Sequence, residues 1–192
     1  MAPSEKHPFE PFLPENARIL FLGSFPPQPK RWSMDFYYPN WINDFWRVCG
    51  LVFFSDKGYF EVDGEKRFDK EKIIGFCRKK GFAMYDTASE IRRLQDNASD
   101  KFLEVVTPTD IPALLGAIPG CGAIVTTGQK ATDTLVSTYG CNEPPMGGKV
   151  KITIGGKEYD FWRMPSTSRA YPMKLEKKAS AYSILFRETG LV

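Results

Sequence analysis

Three segments bring together residue types that can hold a polar ligand. They are SFPPQPKRWSMDFYYPNWINDFW from Ser24, YDTASEIRR from Tyr85, and MPSTSRAYP from Met164. Asp86 can accept hydrogen bonds as a carboxylate, donate one when protonated, or support a developing positive charge. Asn43 carries a donor and an acceptor on one planar amide. Tyr37 and Tyr38 offer flat faces on which a ring can stack. The backbone N–H groups of the Ser24–Phe25 turn and the hydroxyls of Ser166, Thr167 and Ser168 suit an anion, with Arg169 beside them. Each residue also has a plainer reading. Asp at a strand end commonly caps the helix that follows, and Ser/Thr loops are frequent. Phe45 and Trp46 read as core, Phe25 as an apolar wall, and Arg92-Arg93 and the run Lys174 to Lys178 as solvated faces.

Several other chemistries lack their residues. The single histidine, His7, stands in the Pro-rich start MAPSEKHPFEPFLPE, which argues against a core histidine base, a Ser-His-Asp triad or a His-rich metal site. Cys49, Cys77, Cys121 and Cys141 are widely spaced, without the paired spacing of a zinc site or a disulfide framework, and read as reduced and mostly buried. No G-x-G-x-x-G or G-x-x-x-x-G-K-[ST] loop is present to cradle a nucleotide. No apolar run is long enough to cross a membrane or to act as a signal peptide, so a cytoplasmic protein is the expectation. The net charge is +3, from 26 basic and 23 acidic residues, so any basic face must be local.

The elements that must position these loops follow from apolar runs and their punctuation. The expected division is a loose Pro-rich lead-in over 1–16 and one domain over 17–192. RILFLG, FAMYD and CGAIVTTG read as buried strands, with TASEIRRL leaving the second. Helices are expected from Asn40 to Cys49 with Asn40 as the candidate cap, from Asp69 to Lys80 stopped by Gly81, from Thr109 to Ile118, over QKATDTLVSTYG, and over KLEKKASAYSILFRE with Leu175, Ala179, Tyr182 and Leu185 or Phe186 inward. VKITI and KEYDFWRM, joined at Gly155-Gly156, read as a hairpin. Strands alternating with helices predict a three-layer α/β/α sandwich with a mostly parallel central sheet. In such sheets the loops after the strands gather at one edge, where ligands bind.

LFLGSFPP followed by FYYPNWINDFWRVCG resembles the opening of the mismatch-specific uracil-DNA glycosylases and their hypoxanthine-DNA glycosylase relatives in the uracil-DNA glycosylase superfamily. Gly23, Ser24 and Pro26 stand in the turn of the first family motif, and Asn43, Phe45 and Trp46 form its N-x-F-W element. GFAMYDTASEIRR resembles the strand that presents a base-recognising residue, here Asp86. AIVTTGQKA resembles the next strand and its Gly-turned helix, and MPSTSR the second motif, a Pro-Ser loop that enters the minor groove. The collinear resemblance runs over 18–188. Three positions depart from it. Phe25 stands where the family carries a catalytic Asn or Asp, Met164 where the second motif begins with His, and Thr127 where the hypoxanthine-type members have Asn.

The resemblance implies a monofunctional DNA glycosylase of base-excision repair, since no lysine in the matched motifs is placed for Schiff-base chemistry. It would hydrolyse the N-glycosidic bond of a flipped deaminated base, of uracil or hypoxanthine type. Asp86 and Asn43 are the catalytic candidates. Gly23, Ser24, Phe25, Tyr37, Tyr38 and Thr127 would form the base pocket. Ser166, Thr167, Ser168, Arg169 and Tyr171 would contact DNA, the last two filling the vacated stack. The expected partner is DNA containing a damaged base, with no cofactor, metal or membrane, and the protein a monomer. Phe25 and Thr127 motivate an alternative, a non-catalytic DNA-binding protein on the same fold.

Overall fold

The computed structural model describes residues 2–95 and 99–192, so Met1 of the expected lead-in lies outside the described residues. The strands of the main sheet are β2 (Ile19–Gly23), β3 (Phe82–Asp86), β6 (Ala123–Thr127), β7 (Lys149–Ile154) and β8 (Lys157–Met164). Their order is β3-β2-β6-β8-β7. The β3, β2, β6 and β8 junctions are parallel, and the β7–β8 hairpin is antiparallel. Gly155 and Gly156 turn that hairpin at φ of 58° and 79°, values that favour glycine.

Alternating side chains of the central strands feed two cores. Ile19 and Phe21, Ala123 and Val125, and Trp162 and Met164 face α1 (Phe45–Phe54), α2 (Lys70–Lys80) and α5 (Leu175–Glu188). Leu20 and Leu22, Ile124, and Tyr159 and Phe161 face α3 (Ile111–Ala117) and α4 (Gln129–Tyr139). The result is the three-layer sandwich that the alternation of elements predicts. Phe45 and Trp46 are fully buried, each contributing about 1.5–3 kcal/mol of hydrophobic burial. Ala179, Tyr182, Leu185 and Phe186 are the inward face of α5.

Three expectations need correction. The first helix begins at Phe45, not Asn40, and its N-cap position is Asp44. Asn43 Oδ1 instead accepts from Phe45 N–H, and Arg47 holds the preceding turn by donating to the carbonyls of Trp41 and Asn43. Second, the segment leaving β3 is itself a strand, β4 (Ala88–Arg93). With β1 (Ser4–Lys6) and β5 (Leu103–Pro108) it makes a separate antiparallel sheet ordered β1-β4-β5. Phe25, Ala88, Ile91 and Leu103 form its small apolar layer.

Third, the lead-in is docked rather than loose. Ser4–Lys6 pairs with Glu90–Arg92, His7 N–H donates to Ser89 O, and Phe12 exchanges backbone hydrogen bonds with Met84. The prolines at 3, 8, 11 and 14 break the segment into short pieces, and β4 and β3 supply the partners these pieces need.

Candidate active site

The registers of the parallel strands place one row of side chains at the carboxyl edge of the sheet. Asp86 pairs with Gly23, Leu22 with Thr126, and Thr127 with Met164. With side chains alternating along each strand, Asp86, Gly23, Thr127 and Met164 lie on the α1 side. Glycine lets this row close up: a Cβ on Gly23 would lie 2.5 Å from Asp86 Oδ1 and 3.8 Å from Thr127 Oγ1, so the Asp86 carboxylate occupies the space a side chain would take, with the Thr127 hydroxyl beside it. Asp86 does not cap a helix: β4 follows it, and its backbone carbonyl accepts from Thr109 Oγ1.

The chain around this row is tightly held. Tyr38 stacks on Phe45 with ring centroids 4.0 Å apart, and its hydroxyl bonds Thr127 Oγ1 at 2.7 Å. Its φ of 52° is left-handed, a conformation that costs a non-glycine residue about 1–3 kcal/mol and persists only when its surroundings over-determine it. Burial pushes the Tyr38 phenol well above its ordinary range, so it is a neutral hydroxyl. Tyr37 is buried, donates to Glu10 O and packs against the lead-in, so it supports a wall rather than offering an open stacking face. Phe25 is buried in the apolar layer of the second sheet.

The Pro-rich surroundings of His7 argue against a core histidine, yet the structure places it here. Its Nε2 is 2.7 Å from Asp86 Oδ2, and its side chain is 2% exposed. Phe25, Tyr85, Tyr37 and Phe9 surround the imidazole. The expectation that the chain lacks a core histidine is thereby corrected. No local pattern signals this contact, because 79 residues separate the partners.

A second carboxylate stands at the rim. Asp100 is exposed as a residue, while its carboxyl turns inward against the Ser24 hydroxyl. Loss of hydration and the charge of Asp86 raise its pKa, opposed by the bond from Ser24. Ser24, Tyr38 and Ser166 are the partly exposed polar groups beside the buried Asp86 and Thr127.

The Ser166–Arg169 loop approaches the same edge. A Cβ on Gly128, whose φ is 98°, would lie 3.5 Å from Ser166 Cβ, so the turn into α4 and this loop are in contact. Ser166 Oγ accepts from Ser168 N–H and Ser168 Oγ from Ala170 N–H, which curls the loop on itself. Thr167 is 2% exposed and supports the loop from beneath, so its hydroxyl does not belong to the outer face expected for it. Ser168 and Arg169 are exposed, and Tyr171 partly so.

The loop is anchored by a buried charge cluster that sequence reading missed. Asp44 N–H donates to Thr167 O, Asp44 Oδ2 pairs with Lys178 Nζ at 3.1 Å, and Asp44 Oδ1 with Arg169 Nε at 3.2 Å. Lys178 Nζ also donates to Ser168 O. Lys178, read as part of a solvated run, is fully buried. Asn43 bridges Ser168 through its backbone, and no hydrogen bond or ion pair joins it to Asp86 among the described residues. On the far flank of the loop lies a charged groove of about 510 Å³, lined by Trp41, Asp44, Arg47, Arg169 and Lys178 among others. It shares no lining residue with the Asp86 row.

Comparison with solved structures finds this architecture elsewhere. The chain superposes on the solution NMR structure of a "putative Uracil DNA glycosylase" from Methanosarcina acetivorans with a TM-score of 0.63, covering 96% of this chain and 98% of that one at 22% identity. The two chains share one fold, a uracil-DNA glycosylase-like α/β sandwich. No family model matches the sequence, and no curated protein does. No helix among the described residues is long and apolar enough to cross a membrane. No group of three or more His, Cys, Asp or Glu side chains among them is placed to hold a metal ion.

Proposed function

We propose that the protein is a monofunctional DNA glycosylase that excises a deaminated base of uracil or hypoxanthine type, acting as a monomer without a cofactor. The observation that carries this reading is the row Asp86–Gly23–Thr127: a carboxylate packed over a glycine, with a hydroxyl beside it, at the carboxyl edge of a mostly parallel sheet. A loop with exposed Ser168 and Arg169 lies at the same edge. The name carried by the Methanosarcina acetivorans protein points to the same chemistry.

A duplex hides its bases, so the target nucleotide must be flipped out at a cost of a few kcal/mol. Contacts from the Ser166–Arg169 loop to phosphates offset that cost and fix the register of the strand. Cleavage of the glycosidic bond leaves an oxocarbenium-like sugar and an anionic base. In this reading the Asp86 carboxylate supports the developing cation. The backbone N–H groups of the Ser24–Phe25 turn, with the one hydroxyl proton that the Tyr38–Thr127 pair leaves free, donate to the leaving base. Water adds to the sugar carbon and its proton passes to the base. Asn43, tied to the start of α1, serves by shaping the approach of the loop.

The test is single-turnover excision on oligonucleotides carrying uracil, hypoxanthine or xanthine, in single strands and duplexes, paired with a binding assay on the same substrates. Excision of at least one base supports the reading. Tight binding with no excision favours a non-catalytic DNA-binding protein, the alternative to which the buried apolar Phe25 in the turn points.

A further inference from the structure

We propose that His7 and Asp86 form a working dyad, in which the imidazole of the N-terminal segment holds Asp86 as a carboxylate with its other oxygen packed over Gly23. The inference rests on the glycosylase reading and assigns His7 as a positioning residue for it.

The geometry separates the two oxygens of Asp86. Oδ2 is 2.7 Å from His7 Nε2, whereas Oδ1 is the atom nearest the position of a Gly23 Cβ. One oxygen is therefore hydrogen-bonded to His7 and the other lies over Gly23 at the carboxyl edge of the sheet. The ring is fixed at its far side too. Phe9 N–H approaches Nδ1 at 3.1 Å and Phe9 O lies 2.9 Å from it. The neutral ring that accepts from Phe9 N–H carries its proton on Nε2, and the charged ring carries protons on both nitrogens. In both forms Nε2 donates to Asp86, so the carboxylate keeps its partner whether or not the imidazole is charged. A carboxylate held in this way needs no reorganisation when positive charge develops nearby.

The segment is built to deliver this ring. His7 follows β1 directly, its own N–H is bonded to Ser89 O, and the Arg93–Glu5 pair and the Arg92 bond to Ala2 O clamp the strand beside it. The other titratable groups facing the imidazole are Tyr85 on β3 and Tyr37 in the aromatic segment. Asp100 acts on Asp86 from the rim, and Glu10 on both tyrosines. Burial raises both phenols, so they are neutral and Asp86 is the anion in contact with the ring.

The experiment compares the full-length chain with His7→Ala and His7→Gln. Single-turnover excision is measured across pH, with oligonucleotide binding and thermal melting on the same samples. His7→Ala is expected to slow excision about tenfold or more with binding nearly unchanged. His7→Gln, which keeps a nitrogen donor, recovers part of the rate, and added imidazole restores part of the rate of His7→Ala. A fall in melting temperature with an unchanged rate per folded molecule overturns the proposal. So does a faster rate in His7→Ala, which would make the segment a plug over the site.

A second readout is independent of excision. Because His7 is the single histidine, 15N NMR of the imidazole has one residue to report. The expected signature is a hydrogen-bonded, downfield Nε2 proton that is lost in Asp86→Ala, and its absence overturns the dyad. A wild-type protein that shows this proton but excises no base overturns the glycosylase reading, and with it the assigned role of His7, while leaving the pair itself established.

Discussion

The smallest change that tests the site is a single methyl group at Gly23. In Gly23→Ala the new Cβ would lie 2.5 Å from Asp86 Oδ1, roughly 1 Å short of ordinary van der Waals separation. The carboxylate cannot easily swing clear, because Oδ2 is tied to His7 on its other side. Overpacking of this kind costs about 1–3 kcal/mol. For a chain of this size, with about 2–4 °C lost per kcal/mol, the melting temperature should fall by roughly 2–12 °C. A displacement near 1 Å at a reacting group also costs on the order of 10²-fold in rate. The decisive assay is a double-mutant cycle read by thermal or urea unfolding. In an Asp86→Ala background the obstructing oxygen is gone, and Gly23→Ala should then cost less than about 0.5 kcal/mol. If the methyl group costs the same with and without Asp86, the strain lies elsewhere in the strand, and the close approach of Asp86 is not the feature that demands glycine.

Other outcomes follow from the same geometry. Asp86→Asn keeps the shape of the group and removes its charge, and single-turnover excision should fall about tenfold or more while the melting temperature changes little; an unchanged rate removes Asp86 from the chemistry. Lys178→Met leaves Asp44 buried with only its arginine partners, and should cost roughly 3 kcal/mol, or about 6–12 °C in melting temperature; adding Asp44→Asn should recover part of that loss. Arg169→Ala should weaken DNA binding and lower the slope of log affinity against log salt by roughly 1, and an unchanged slope would place the phosphate contacts on another face.

What was legible in the sequence depended on how far apart the interacting residues stand. ILFLG, FAMYD and AIVTT are short apolar runs ended by Gly or a polar residue, and all three are strands of one parallel sheet. The α2 helix ran as its signals required: Asp69 accepts from Lys72 N–H at its start and Gly81 takes φ 71° at its end. The start of α1 is ambiguous in sequence because NWIND offers several capping side chains within five residues. The choice is made by Asp44, whose N–H and carboxylate are drawn to Thr167 and Lys178 far along the chain. The second sheet was not legible because its strands are short and largely polar, with Ile91 and Leu103 nearly alone on the buried side. Such strands hold by pairing with one another, which periodicity within any one of them does not reveal.

His7 and Lys178 show the same limit at the level of single groups. Local composition points both toward solvent, one in a Pro-rich start and one in a lysine-rich run. Both are buried against carboxylates, across 79 residues for His7 and Asp86 and 134 for Lys178 and Asp44. Local composition is a sound guide to solvation when nothing distant competes for a charge. It fails where a carboxylate is already committed to the interior, because a buried anion without a partner costs more than ordering a long cationic side chain or a terminal strand to reach it. The two carboxylates occupy the two halves of the candidate site, Asp86 packed over Gly23 and Asp44 against the Ser166–Arg169 loop. Each recruits its partner from near one end of the chain, His7 from just after the first strand and Lys178 from the last helix. A change that loosens either terminal element should therefore disturb one half of the site before it disturbs the central sheet.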